Sequence, residues 1–242
     1  RKQAAMNLSV QLVENREALA KGQDPPWLTG PDFLQRLQES WEALADEENQ
    51  NLRMALAMAL LEYGDPGGRA KIEGFLALDE GSDPDALLLW TALRELGRCG
   101  DTAAAPLVIP FLSHPDARLR QGAAAALQTM PGEATVSALK GVLGDPSLEL
   151  RGMAAISLSH LGDASGAQVL ADLAAPATYE AARAADPHKY ADARLVQNSR
   201  IYAVQALARL ARAEDRVLLQ ELADGDLDPA VREAAMLALR GP

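Results

Sequence analysis

Along this chain apolar residues return at helical spacing in one fixed block: a long or basic residue, small or apolar residues three and four positions on, and Leu at the seventh. The copies are Arg1…Ala4-Ala5…Leu8, Arg53…Leu56-Ala57…Leu60, Leu89…Ala92-Leu93…Leu96, Arg120…Ala123-Ala124…Leu127, Arg151…Ala154-Ala155…Leu158, Arg200…Ala203-Val204…Leu207 and Arg232…Ala235-Met236…Leu239. Positions 0, 3, 4 and 7 of a helix share one face, so each block is an amphipathic helix with that face buried. Successive block starts lie 36 (53 to 89), 31 (89 to 120), 31 (120 to 151) and 32 (200 to 232) residues apart. A fixed period of this length is the signature of a helical repeat array. The two longer steps, 52 (1 to 53) and 49 (151 to 200), place insertions at residues 14–31 and 175–199.

Residues 133–163 show the whole unit. Val136, Leu139 and Leu143 lie on one face of a first helix, which Gly144-Asp145-Pro146-Ser147 interrupts. Proline cannot continue a helix, and Asp145 or Ser147 can cap the next one. A second helix runs from about Leu148 to Leu161 with Leu150, Ala154, Ala155, Leu158 and Leu161 inward, and Gly162-Asp163 ends it. The same punctuation returns at Gly64-Asp65, Gly100-Asp101, Pro131-Gly132-Glu133, Asp83-Pro84 and His114-Pro115-Asp116. The predicted fold is all-α: one right-handed, curved α-α superhelix of about six to seven helical hairpins across residues 1–242. Because the chain opens at Arg1 in mid-pattern, it reads as a fragment of a longer protein.

The run Asp-Pro, four variable positions, Arg-x-x-Ala-Ala-x-x-Leu-x-x-Leu-Gly-Asp, best seen from Asp145 to Asp163 and more loosely from His114 to Glu133 and from Asp226 to Leu239, resembles the bacterial HEAT-like repeat named for phycobilisome lyases. The resemblance covers the chain apart from its insertions. It implies a ladder of ion pairs between neighbouring repeats, carried here by Arg53, Arg120, Arg151, Arg200 and Arg232 with Asp145 and Asp226 as acidic members. Leu89 stands where one arginine belongs, and His114 where one aspartate belongs. As to function the resemblance spans scaffolds, adaptors, chromophore lyases and DNA-repair enzymes.

Charge narrows that range. The formal net charge is −11 and the arginines are spread one per repeat, which argues against a nucleic-acid partner, since phosphate contacts need clustered cations. Cys99 is the sole cysteine, so neither a disulfide within the chain nor a Cys-based metal site can form. His114, His160 and His188 are too far apart in sequence to suggest a metal site, and no phosphate loop, nucleophile motif or Rossmann fingerprint occurs. The sequence therefore predicts no metal, no cofactor and no catalytic residue. No apolar run is long enough to enter a membrane and no signal peptide is visible, which predicts a cytoplasmic location.

Second helices of such repeats commonly line the concave side, and positions one, two and five beyond each block start are not needed for packing. These positions nominate a groove for a protein or peptide: Met54, Met58, Trp90, Met153, Ile156, Ile201 and Tyr202, with Thr91, Arg94, Gln121 and Gln205 as polar members. Burial of the same positions between helices is the competing reading. Trp27 in the first insertion, and Tyr179, His188 and Tyr190 in the second, are further contact candidates, although the second insertion also reads as a helical extension through Ala181 to Ala185. The favoured function is a non-catalytic interaction scaffold or adaptor; the alternatives are an enzyme subunit resembling phycobilin lyases and a structural spacer.

Overall fold

The computed structural model describes residues 14–15, 17–18, 21–23, 31–44, 50–77, 86–100, 102–185, 188 and 190–240. Among them every regular element is helical. The α-helices are α1 (Pro31–Ala43), α2 (Gln50–Glu62), α3 (Gly68–Glu73), α4 (Leu87–Cys99), α5 (Ala105–Val108), α6 (Ala117–Leu127), α7 (Glu133–Gly141), α8 (Leu148–His160), α9 (Ala167–Ala174), α10 (Pro176–Ala185), α11 (Ala193–Leu210), α12 (Asp215–Gly225) and α13 (Pro229–Arg240). Short 3₁₀ turns join or extend several of them, as at Gly74–Ala77 and Ile109–Ser113. None of the described helices is long and apolar enough to cross a membrane.

The chain forms two compact units, residues 1–96 and 97–242. In the first, Leu37 of α1 meets Leu56, Ala59 and Leu60 of α2, with Phe33, Trp41 and Tyr63 around them. In the second, α6 packs on α8, α8 on α11, and α11 on α13, while α7 packs on α8, α9 on α8 and α11, and α12 on α13. The repeating block supplies the contacts of this row. Ala123, Ala124, Leu127, Ala154, Ala155, Leu158, Ala203, Val204 and Leu207 are all wholly buried. In the last repeat Ala235 is buried but Met236 is exposed, so the inward face opens there.

Small residues set the spacing between helices. A Cβ on Gly97 would lie 2.7 Å from the Ala126 backbone, and one on Gly166 equally close to Ala155. Main-chain groups left free at helix ends and faces are met by side chains: Ser157 Oγ donates to the Ala124 carbonyl at 2.8 Å, joining α8 to α6, and Thr129 Oγ1 donates to the Gly97 carbonyl at 2.6 Å.

The type repeat folds as its turns dictate. Asp145 Oδ1 accepts from Ser147 N, and Ser147 Oγ accepts from Leu150 N to cap α8. Gly162, at φ +76°, ends the helix, and Asp163 accepts from Ser165 N as the next turn begins. Of the second insertion, residues 176–185 form α10 and residues 193–199 extend α11 at its N-terminal end. Much of it is therefore helix added to the array.

Candidate functional site

Burial divides the groove candidates. On α2, Met54 is buried and Met58 half-buried; Met54 packs within its unit and offers no contact surface. On α4, Trp90 is 38% exposed and Arg94 is exposed, with its guanidinium 5.0 Å from the centre of the Trp90 ring. Thr91 beside them donates its hydroxyl to the Leu87 carbonyl at 2.8 Å, closing it to other partners as a donor.

In the second unit Gln121, Met153, Ile156 and Ile201 are half-buried, whereas Tyr202 and Gln205 of α11 are exposed. Ile156 and Ile201 pack on the core with one edge each, which fixes the backbone beneath Tyr202. Tyr202 presents 56% of its surface. An exposed aromatic on a rigid helix, flanked by half-buried aliphatics, costs little conformational entropy when it is covered.

The insertion candidates fare differently. Trp27 lies outside the described residues. Tyr179 and Tyr190, expected as contacts, are instead core residues: their rings meet edge to face at 5.4 Å and are buried. Tyr190, at φ +58°, donates its hydroxyl to Glu149 at 2.5 Å. Burial, reinforced by that carboxylate, pushes the Tyr190 hydroxyl well above the usual tyrosine range, and burial raises Tyr179 as well. The aromatic character that suggested a binding loop serves to dock the insertion. His188 is exposed on the connecting turn.

The arginine ladder takes another form than the resemblance implies. Arg120 Nη1 donates to the carbonyls of His114 and Pro115, both at 2.9 Å. Arg151 does the same to Asp145 and Pro146 at 2.6 and 3.4 Å, and Arg232 to Asp226 and Leu227 at 2.6 and 3.3 Å. Each arginine thus grips the backbone of its own interhelical turn, five and six residues back, and pairs with no carboxylate among the described residues. This explains why His114 can stand where an aspartate was expected: its carbonyl serves the clamp, and its Nδ1 accepts from Asp116 N at 3.0 Å as Asp145 Oδ1 accepts from Ser147 N.

Arg200 is the exception, and α11 shows why. Its residues five and six back lie inside the same helix, where carbonyls already serve the helix itself. Arg200 reaches instead to the Ala174 carbonyl at the end of α9, at 2.8 Å, and to the carboxylate of Asp226 in the next repeat. Both side chains of that ion pair are nearly excluded from solvent. Among the described residues, which leave out 45–49 just before it, Arg53 neither clamps a turn nor pairs with an acid; its guanidinium lies 4.7 Å over the Trp41 ring.

No group of three or more His, Cys, Asp or Glu residues that could hold a metal ion occurs among the described residues. Residues 72–151 match the family model of HEAT repeats. No curated protein matches the chain. The crystal structure of an engineered protein is similar at 17% identity and a TM-score of 0.50, over 85% of this chain and 95% of that one, a likeness of fold. The structure of human deoxyhypusine hydroxylase in complex with glycerol aligns at 18% identity over 98% of this chain and 95% of its own, at a TM-score of 0.34, too low to carry a structural likeness.

Proposed function

We propose that this chain, an all-α repeat protein whose residues 72–151 match HEAT repeats, is a non-catalytic scaffold that binds a protein or peptide through exposed side chains of its second helices. HEAT repeats generally mediate protein interaction and are typically non-catalytic. The observation that carries the reading here is the exposure of large aromatic side chains just beyond the block starts: Trp90, one residue past Leu89, and Tyr202, two past Arg200. Packing excludes such side chains from solvent wherever the array needs them, as it does Met54, Tyr179 and Tyr190. Trp90 and Tyr202 are left to the surface, and exposed aromatics of this kind are the side chains that dominate interface energies.

Each unit offers its own surface: Trp90 with Arg94 on α4, and Tyr202 with Gln205 on α11, with Met153 and Ile156 of α8 half-buried in the same unit. The net charge of −11 favours a basic partner through long-range attraction. The test is crosslinking or pull-down with the wild type and the triple variant Trp90→Ala, Met153→Ala, Tyr202→Ala. Loss of at least tenfold of the recovered partner is expected. Unchanged recovery by a variant with wild-type circular dichroism would overturn these surfaces as the binding site.

A further inference from the structure

The second insertion lengthens α11. Other second helices start three residues before their block, at Gln50, Ala117, Leu148 and Pro229, whereas α11 starts seven before it, at Ala193. The extra turn makes helix of a position that in other repeats is Pro115, Pro146 or Leu227 of an interhelical turn. Here that position holds Leu195, which leaves 53% of its surface open. A continuous exposed face results. Leu195, Asn198, Tyr202, Gln205 and Arg209 follow one another at steps of three, four, three and four, Arg194 flanks the first, and all six are exposed. At about 3.6 residues per turn they share one side of the helix. The other side is committed: Arg200, Ala203, Val204, Ala206 and Leu207 are buried, and Gln197 donates to both carboxylate oxygens of Asp228, at 3.0 and 2.9 Å. From Leu195 to Arg209 the face is about 21 Å long, at about 1.5 Å per residue.

Spacing and charge decide what fits this face. Alternating steps of three and four are the seam along which one helix packs lengthwise on another, whereas an extended strand presents every second residue. Leu195 and the Tyr202 ring supply apolar contact, and the interleaved amides of Asn198 and Gln205 favour one register of the partner. The face carries two cations, Arg194 and Arg209, and no acid. A guanidinium is a planar fork of donors matched to a carboxylate. Resting on the scaffold reading of Tyr202, we propose that the exposed face of α11 docks an amphipathic helix of a partner protein, apolar at heptad spacing and carrying carboxylates opposite Arg194 and Arg209. The net charge of −11 acts at long range on the partner's charge as a whole, while the two carboxylates are a requirement at contact.

Three fluorescent peptides of about 18 residues, enough to span the face as helices, would be titrated into the full chain by anisotropy, with ¹⁵N amide shifts to locate them. The first has Leu at heptad spacing and Glu at both ends; the second has Lys for Glu; the third keeps the first's composition with Leu at every second position. Saturable binding of the first is expected, with shifts centred on α11, and at least tenfold weaker binding of the others. Arg209→Glu should weaken the first at least tenfold and strengthen the second, Leu195→Ser should weaken both, and Arg36→Glu, the same charge change on α1, should alter neither. Burial, with Arg209 nearby, holds His160 below its ordinary value, so a carboxylate on Arg209 should raise it and the Lys peptide should not. Equal binding of the Glu and Lys peptides, preference for the alternating peptide, shifts away from α11, or no saturable binding would overturn the helix site. Self-association of the chain that Tyr202→Ala abolishes would give the face to a second copy and overturn it too. Partner recovery lost in the triple variant, with no peptide bound, would remove the helix and leave the scaffold.

Discussion

Ala211 shows what one side chain can cost. Eleven residues past its block start it occupies the place held by Gly64, Gly100 and Gly162, and like them it is left-handed, at φ +50° against +81°, +65° and +76°. An L-residue with a Cβ is strained there by about 1–2 kcal/mol, while glycine brings an entropic penalty of about 0.5–1 kcal/mol. Ala211→Gly should therefore stabilise the second unit by about 0.5–1 kcal/mol, seen as a higher urea midpoint at unchanged slope; a lower midpoint would contradict the strain. Nothing in the residue type revealed the backbone angle at this position. Two carboxylates make a second prediction at this scale. The Arg118 side chain, above all, holds Asp116 at about 2, and Asp163 is held at about 2 because bonds from Lys140 and Ser165 outweigh the opposing effect of burial. Both folded values lie below the unfolded value of 3.8, so their stabilisation is full above that value and is lost as pH falls through the interval down to about 2. Urea midpoints at pH 5 and pH 2.5 should differ more for the wild type than for Asp116→Asn with Asp163→Asn.

Between elements, arginines at equivalent positions do unequal work. Truncating Arg200 leaves the Asp226 carboxylate buried without its cation, a loss of about 3–5 kcal/mol by precedent for broken buried pairs. Truncating Arg151 exposes two turn carbonyls to water and should cost about 1–2 kcal/mol. Urea unfolding of Arg200→Ala and Arg151→Ala measures the contrast, and equal losses would show that the ion pair contributes nothing beyond the clamp. The period located every one of these arginines, and the turns before three of them, His114-Pro115, Asp145-Pro146 and Asp226-Leu227. It could not say whether a carboxylate or a carbonyl is the acceptor, because both belong to the same aspartate. For Arg200 the extension of α11 decides the matter by consuming the carbonyls, and the helix boundary needed for that inference fell inside the second insertion. Tyr179 and Tyr190 misled for a similar reason: tyrosine suits both an interface and a core, and only the neighbouring ring and Glu149 distinguish the two.

Across the molecule, repeats that touch only their neighbours should transmit damage over short distances. Hydrogen exchange on Arg200→Ala should show faster exchange in α9, α11 and α13 with α2 unchanged; uniform loss of protection would instead indicate a single cooperative block. The architecture was legible because period, apolar face and turn residues all reported on it independently. The exposure of the nominated positions was legible only in part. Exposure at a nominated position depends on how the adjacent helix sits, which separates Tyr202 from Met54 although both sit one or two residues past a block start. The clamp of Arg120, Arg151 and Arg232 also bears on how such proteins change. A side chain that reads main-chain oxygens is indifferent to which residues carry them, so the turns it secures are cassettes, open to exchange between repeats or to new loop chemistry without rebuilding the helices on either side.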